Sequence, residues 1–276
     1  MHFLINRAIY PLPPGTTEIP FIQSDALTSC GFVHAYSTRL GGVSSFPAAS
    51  LNMDYKIDNG ENIVENMRRF FTVLGVRDWP LFTPKQVHLN KVFVLSLGST
   101  WNNDSIEADA IVTNLTRVLL GVRTADCLPI LVGDPVKKSV GIIHAGWRGT
   151  VSRVAEKAIE AMTRELGSDP ANCVAAFGPC ICEDCYEVKS DVVKKFAEAF
   201  GPDNFMKWVD PGKTALADLK GANRSQLLKM GLKPENVFVS PFCTVHQNDL
   251  FFSNRREGKI DPAKVGRMLN VIGINI

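Results

Sequence analysis

Residues 122–149 read VRTADCLPILVGDPVKKSVGIIHAGWRG. Two apolar runs stand out in this stretch, 129–133 (PILVG) and 139–144 (SVGIIH), separated by an Asp-Pro break. Each has strand length, is rich in Ile and Val and is bounded by Gly, Pro or Asp, so each is predicted to be a strand. Directly behind the second run, Val151, Val154, Ala155, Ala158, Ile159, Met162 and Leu166 recur at helical spacing, which predicts a helix over 150–166. Thr150 is placed to cap it and Gly167 to end it. Strand, turn, strand, helix is thus the unit from which the fold is read outward.

Further strand-length runs occur at 32–37, 92–97, 108–113, 117–123, 173–178 and 237–240, and helical spacing recurs at 61–74, 190–200 and 214–230, the last ending at Gly231. The strands crowd the middle with only some helices between them. That pattern predicts an α+β (mixed α/β) domain rather than regular strand–helix alternation. No repeat, low-complexity tract or Gly/Ser linker divides the chain, so residues 1–276 are read as one domain.

A formal charge of +2 and a pI near 8.1, with Lys and Arg dispersed, argue against a nucleic-acid surface. No apolar stretch approaches the roughly 18 residues needed to cross a bilayer. The opening MHFLINRAIYPLPPGTT lacks the pattern of a secretory signal, and a cytoplasmic location is expected. Seven cysteines in a chain of this size are best read as reduced thiols, available to a metal or as nucleophiles.

Three segments carry potential ligands at predicted strand ends: TPKQVH (83–88) with His88, VRTADCLP (122–129) with Cys127, and GIIHAGWRG (141–149) with His144. Two imidazoles and a thiolate suit zinc, and three protein ligands leave a fourth position open, as catalysis requires. The plain alternative is a hydrogen-bonded histidine and a small buried cysteine at each place, because no short CxxC or HExxH spacing joins the three. Asp126, beside Cys127, is a candidate proton shuttle or an anchor for its own loop. In STRLGG (37–42), Gly41 and Gly42 permit a tight turn and Arg39 could fork onto phosphate, or simply lie on the surface. In FFSNRREG, Phe251 and Phe252 read as core, with one arginine, Arg255, reaching inward as an anion clamp.

GPCICEDC supplies Cys180, Cys182 and Cys185. With no second CxxC pair and no histidine nearby, these are read mainly as reduced thiols near a turn rather than a structural zinc site. His246, beside Gln247, Asn248 and Asp249, is assigned a surface or capping role in preference to that of a further ligand.

The motifs STRLGGVS, SLNM, QVH, ADAIVT, TADCLPI, HAGWRGT, GPCI, CYEV and FFSNRR occur in the order found in the YfiH-type, laccase-domain family of purine nucleoside phosphorylases, which the chain resembles from about Gly31 onward. Residues 1–25 are then expected to be a peripheral extension. The resemblance implies a four-layer α/β/β/α fold with two central mixed sheets, and zinc held by His88, Cys127 and His144. It also implies phosphorolysis of adenosine, inosine, guanosine and 5′-methylthioadenosine, with adenosine deamination as a second activity; a monomer is expected, although the sequence itself carries no signal of oligomeric state. Asn52 of SLNM and Gln86 of QVH join Arg39 and Arg255 as expected substrate contacts. Asn254 departs from the Tyr common in the family, and His246 and the dense cysteines are likewise unusual.

The family's older label, multicopper polyphenol oxidase, is at odds with the histidine count: such a centre needs on the order of eight to ten imidazoles, extending copper-ligand logic to several ions. The chain has five, His2, His34, His88, His144 and His246. One copper in place of zinc, with weak phenol oxidation, is the form of that reading that survives. Two others stand beside it: a metal-free cysteine hydrolase using Cys127 with His144 or His88, for instance on peptidoglycan precursors, and a binding protein that keeps only the pocket.

Overall fold

The computed structural model describes residues 2–275 apart from 13, 14, 260, 262 and 263. Two six-stranded mixed sheets form its centre. The first runs, edge to edge, β1 (Phe3–Leu12), β2 (Gly15–Ser24), β3 (Phe32–Ser37), β15 (Met268–Ile274), β7 (Leu119–Thr124) and β4 (Leu81–Phe82). The second runs β14 (Val237–Val239), β10 (Val174–Phe177), β8 (Leu128–Asp134), β9 (Ser139–Ala145), β6 (Ala110–Thr113) and β5 (Val92–Leu95). Face to face, the sheets bury Leu120, Val122 and Ile272 of the first against Ile111, Leu131 and Ile142 of the second.

The outer faces are covered by helices. On the first sheet, α2 (Gly60–Val73) packs Phe70 and Phe71 against Ile19, Leu119 and Val271. On the second, α4 (Val154–Leu166) buries Ala155, Ala158, Ile159 and Met162 against Val112, Ile130 and Ile143, with Leu227 of α6 (Leu219–Lys229) alongside. Helix, sheet, sheet, helix is the expected four-layer order. A third small sheet, β11 (Glu187–Lys189), β13 (Thr214–Ala217) and β12 (Met206–Asp210), carries α5 (Ser190–Phe200) on one side. Among the described residues no helix is long and apolar enough to cross a membrane.

Some expectations need correction. The helix expected over 150–166 is two: α3 (Trp147–Val151) and α4, broken where Arg153 adopts a left-handed backbone with φ 67° and stacks on Phe200. Gly146 and Arg153, not Thr150, occupy the N-cap positions, whereas Gly167 with φ 70° ends α4 as expected. The start of 214–230 is β13, because Ala215 and Ala217 are buried with strand alternation; the helix begins only after Asp218, whose carboxylate caps it by accepting the Gly221 N–H. Residues 1–25, expected as a peripheral extension, supply the hairpin β1–β2 at the edge of the first sheet, from which Phe3, Ile19, Phe21 and Ile22 enter the core.

Candidate metal centre and cavity

The chain passes from one central sheet to the other between β7 and β8, and the crossing is Ala125–Asp126–Cys127. Asp126 makes the bend with φ 89°, a conformation that Asp tolerates better than most residues. Its carboxylate accepts from Thr244 Oγ1 at 2.6 Å and the Arg255 N–H at 2.5 Å, and its carbonyl accepts the Ile181 N–H at 3.0 Å. The turn presents Cys127 at the start of β8. One strand over, His144 lies near the end of β9, paired in register with Pro129.

Asp109, fully buried just before β6, ties the centre together. Its Oδ1 meets His144 Nδ1 at 2.8 Å and accepts the His88 N–H at 2.9 Å, while Oδ2 accepts the Leu89 N–H at 2.8 Å. His88, with φ 60°, owes its left-handed backbone to this carboxylate anchor. Occupation of His144 Nδ1 leaves Nε2 for the thiol. The other side of the 88–90 loop is pinned by Asn90 Nδ2, which donates to the Ser152 carbonyl at 2.6 Å in the break between α3 and α4. The two imidazoles meet edge to face, ring centroids 4.8 Å apart.

One ligand atom from each of His88, Cys127 and His144 lies within 4.8 Å of the others. Burial by itself would push the Cys127 thiol up, but the charges and hydrogen bonds of His144 and His88 outweigh it and hold the thiol at about 6. Burial would likewise lower His144; Cys127 and Asp109 overcome that and raise it to about 9. A Cβ on Gly146 would stand 3.1 Å from Cys127 Sγ and 3.3 Å from His88 Cδ2, so this glycine leaves room that the ligands need. A thiol held as thiolate, an imidazole fixed by a carboxylate and a third imidazole form a donor set that fits a zinc-like ion. The exposed edge of His88 opens the group to a cavity of about 590 Å³.

That cavity is also lined by Gln86, Tyr55, Lys56, Lys85, Arg123 and Arg267. Gln86 is where the motif suggested, although its amide is engaged with the Arg123 backbone, accepting N–H and donating to C=O at 2.8 Å each. Arg39, Asn52, Asp126 and Arg255 lie outside the cavity lining. Arg39 is absent from the lining: it pairs with Glu257 at 2.9 Å, donates to the Asn248 carbonyl at 2.8 Å and lies over Phe252. Its Gly-Gly turn serves close packing, since a Cβ on Gly42 would fall 2.1 Å from the Ser50 carbonyl oxygen. Asn52 is fully buried and accepts the N–H groups of Asp54 and Arg267, two residues of the cavity wall. Asp126 anchors its loop, the second of its two readings, and Arg255 spends its backbone on Asp126 and its guanidinium on the Cys185 carbonyl at 3.2 Å. Asp109 was missed in sequence; its signal was a carboxylate at the mouth of the apolar run ADAIVT.

Two mixed sheets between helical layers, with a three-ligand His/Cys centre at the mouth of a polar cavity, define the class as a four-layer α/β protein with a metal-type centre. Residues 33–275 match the family described as multi-copper polyphenol oxidoreductase laccase, and the chain belongs to this laccase-domain (YfiH) family. It is 39% identical over 243 residues to a purine nucleoside phosphorylase of Deinococcus radiodurans, covering 87% of this chain and 88% of that one. It is 36% identical to adenosine deaminase RL5 of an unknown prokaryotic organism, over 82% of this chain and 89% of that one. The crystal structure of YlmD from Geobacillus stearothermophilus superposes with TM-score 0.85 at 30% identity, over 98% of this chain and 100% of that one. These relatives make it a member of an enzyme family with nucleoside-processing members.

Proposed function

We propose that the protein is a zinc-dependent purine nucleoside phosphorylase acting on adenosine, inosine, guanosine and 5′-methylthioadenosine, with adenosine deamination as a second activity. The observation that carries the reading is the His88–Cys127–His144 group facing a cavity of about 590 Å³, within the range of small-ligand sites. The phosphorylase and deaminase names of the relatives support the substrate class.

Zinc held by His88, Cys127 and His144 would supply Lewis-acid polarisation of an oxygen on substrate or phosphate. Copper is the alternative ion, with weak phenol oxidation as its expected activity. Lys56, Lys85, Arg123 and Arg267 are the cationic groups on the cavity wall that would meet phosphate, Lys85 from its pair with Glu107 and Arg123 from its pair with Asp104. A phosphate oxygen attacks C1′, the glycosidic bond breaks, and its electron pair leaves with the purine as ribose 1-phosphate forms. The walls hold anion and sugar together and reduce the entropy of bringing them into contact. Tyr55 offers its ring to the base. In deamination, water attacks C6 of adenine and ammonia departs; Asp54 and Asp104 are the carboxylates that face the cavity for proton transfer. A monomer working in the cytoplasm on nucleosides and phosphate, without nucleic acid or membrane, completes the proposal.

The test is metal-assayed protein incubated with adenosine, inosine and 5′-methylthioadenosine, with and without phosphate, followed by chromatography of the bases. Phosphate-dependent base release is expected, and its absence would overturn the phosphorylase. The low thiol value of Cys127 beside two imidazoles also suits a cysteine hydrolase. Zinc-free protein that hydrolyses amide substrates, and is silenced by alkylation of Cys127, would select that reading.

A further inference from the structure

Away from the cavity, four more ligand-bearing residues converge. Cys182 and Cys185 flank a tight turn in the loop between β10 and β11, closed by the Cys185 N–H to Cys182 carbonyl bond at 3.1 Å. Cys243 and His246 lie on a second turn after β14, in which the Gln247 N–H donates to the Cys243 carbonyl at 2.9 Å. The parallel pairing of β10 with β14 brings the two loops side by side, and a further bridge pairs Cys180 with Cys243. One ligand atom from each of Cys182, Cys185, Cys243 and His246 lies within 4.8 Å of all the others. The His246 ring sits between two thiols, with Nε2 at 3.2 Å from Cys185 Sγ and Nδ1 at 3.8 Å from Cys182 Sγ. Cys243 Sγ accepts the Cys182 backbone N–H at 3.4 Å, the kind of bond that supports a ligating thiolate. This placement corrects the reading of the cysteine-rich segment as thiols without a histidine partner: the histidine arrives from 61 residues further along the chain than Cys185.

We propose that Cys182, Cys185, Cys243 and His246 form a second metal site, a closed Cys3His centre for zinc that joins the two loops. The spacing is C-x2-C on one turn and C-x2-H on the other, two short pairs on two loops, the arrangement by which structural zinc sites take four ligands. Zinc binding replaces the thiol protons of the three cysteines, which pass to solvent, and there is no change in oxidation state. With four protein ligands no position is left for substrate, so the role is structural.

The ion would fasten the surroundings of Asp126. Thr244, next to Cys243, and Ile181, next to Cys182, both hydrogen bond to Asp126. Arg255, which donates its backbone N–H to the Asp126 carboxylate, places its guanidinium on the carbonyl of Cys185. Asp126 precedes Cys127. The second centre therefore acts as a positioning element for the loop that carries the thiolate of the first.

The decisive measurement is zinc per chain, by mass spectrometry of elements, on full-length protein produced with added zinc under reducing conditions. Wild type is expected to hold two ions, one for each cluster. Cys182→Ser/Cys185→Ser and His88→Ala/Cys127→Ser are each expected to hold one. If the first of these variants does not fold, the second still decides, because it leaves the Cys3His group intact. Replacing zinc by cobalt(II) in His88→Ala/Cys127→Ser should then give the intense thiolate-to-cobalt absorption of a tetrahedral three-thiolate site. The proposal is overturned if that variant is free of metal, or if intact-mass analysis of anaerobically purified wild type finds a Cys182–Cys185 disulfide. Neither readout depends on nucleoside turnover, so failure of the phosphorylase reading leaves this result unaffected.

Discussion

The two His/Cys clusters are built from the same donor types in opposite ways. His88, Cys127 and His144 hang from the ends of strands and from a loop tied to a buried carboxylate, with one side of the group open to the cavity. Cys182, Cys185, Cys243 and His246 sit on two turns, held by backbone hydrogen bonds, with no carboxylate oriented on their histidine among the described hydrogen bonds. The thiols reflect the difference. At the first cluster burial is outweighed by His144 and His88 and Cys127 is held at about 6; at the second, burial and the neighbouring thiols push Cys185 up to about 12, and only at Cys243 is burial outweighed, by backbone hydrogen bonds from His246 and Cys182 that lower it. A site that keeps its own thiolate ready and leaves a side open is arranged to exchange ligands. One that offers four donors is arranged to retain an ion and fasten loops.

The largest effect that should separate them is loss of a ligand to the cavity. Cys127→Ala or His144→Ala is expected to lower kcat/KM for phosphorolysis by about 10³-fold or more, on the order of 4 kcal/mol of transition-state stabilisation. Zinc at the other cluster should be unchanged. Turnover that survives either substitution would remove the first cluster from catalysis.

Next comes the carboxylate. Asp109→Asn keeps the shape but weakens the acceptor for His144 Nδ1 and for the His88 and Leu89 N–H groups. Partners of this kind commonly contribute 10–100-fold in metal affinity, so competition with a chelator should show a loss of roughly that size at the cavity alone. An equal loss at both clusters would mean a general defect in folding and would erase the distinction.

The residues of the two clusters also differ in how legible they are in the sequence. His144 was legible because it ends a run, SVGIIH, whose length and composition identify a strand, and Cys127 because it opens the next such run. Asp109 was not, since a carboxylate ahead of AIVT reads as a strand boundary until the structure reveals which N–H groups it accepts. His246 was illegible for a topological reason: its approach to Cys182 and Cys185 depends on β10 and β14 lying side by side, which local spacing does not encode. β15, a central strand with all seven residues buried, goes unread for a different, local reason: Asn270 and Gly273 interrupt its apolar run. At the second cluster, strand pairing at distance, rather than local propensity, carries what could not be read.

A smaller effect tests how tightly the first cluster is packed. Gly146→Ala adds a methyl 3.1 Å from Cys127 Sγ and 3.3 Å from His88 Cδ2, with no conflict at φ −73°. Overpacking of this kind costs on the order of 1 kcal/mol, or about fivefold in zinc affinity at the cavity. Isothermal titration with zinc would detect it, and unchanged affinity would mean that the ligands have slack.

The smallest effect is a rate, and its pH dependence says more than its size. In metal-stripped protein, Cys127 should alkylate faster as pH rises through about 6, because the thiol is protonated below that value and thiolate above it. At pH 7 it holds roughly 30-fold more thiolate than an ordinary thiol of pKa about 8.5, but a lower pKa costs about tenfold in intrinsic nucleophilicity, leaving about a threefold advantage. Cys185, pushed up to about 12, should stay slow across the same range. Peptide mapping after timed iodoacetamide labelling separates the two. If both thiols titrate together near 8.5, the imidazoles are not holding the Cys127 charge, and the contrast between an exchangeable and a retained ion loses its electrostatic basis.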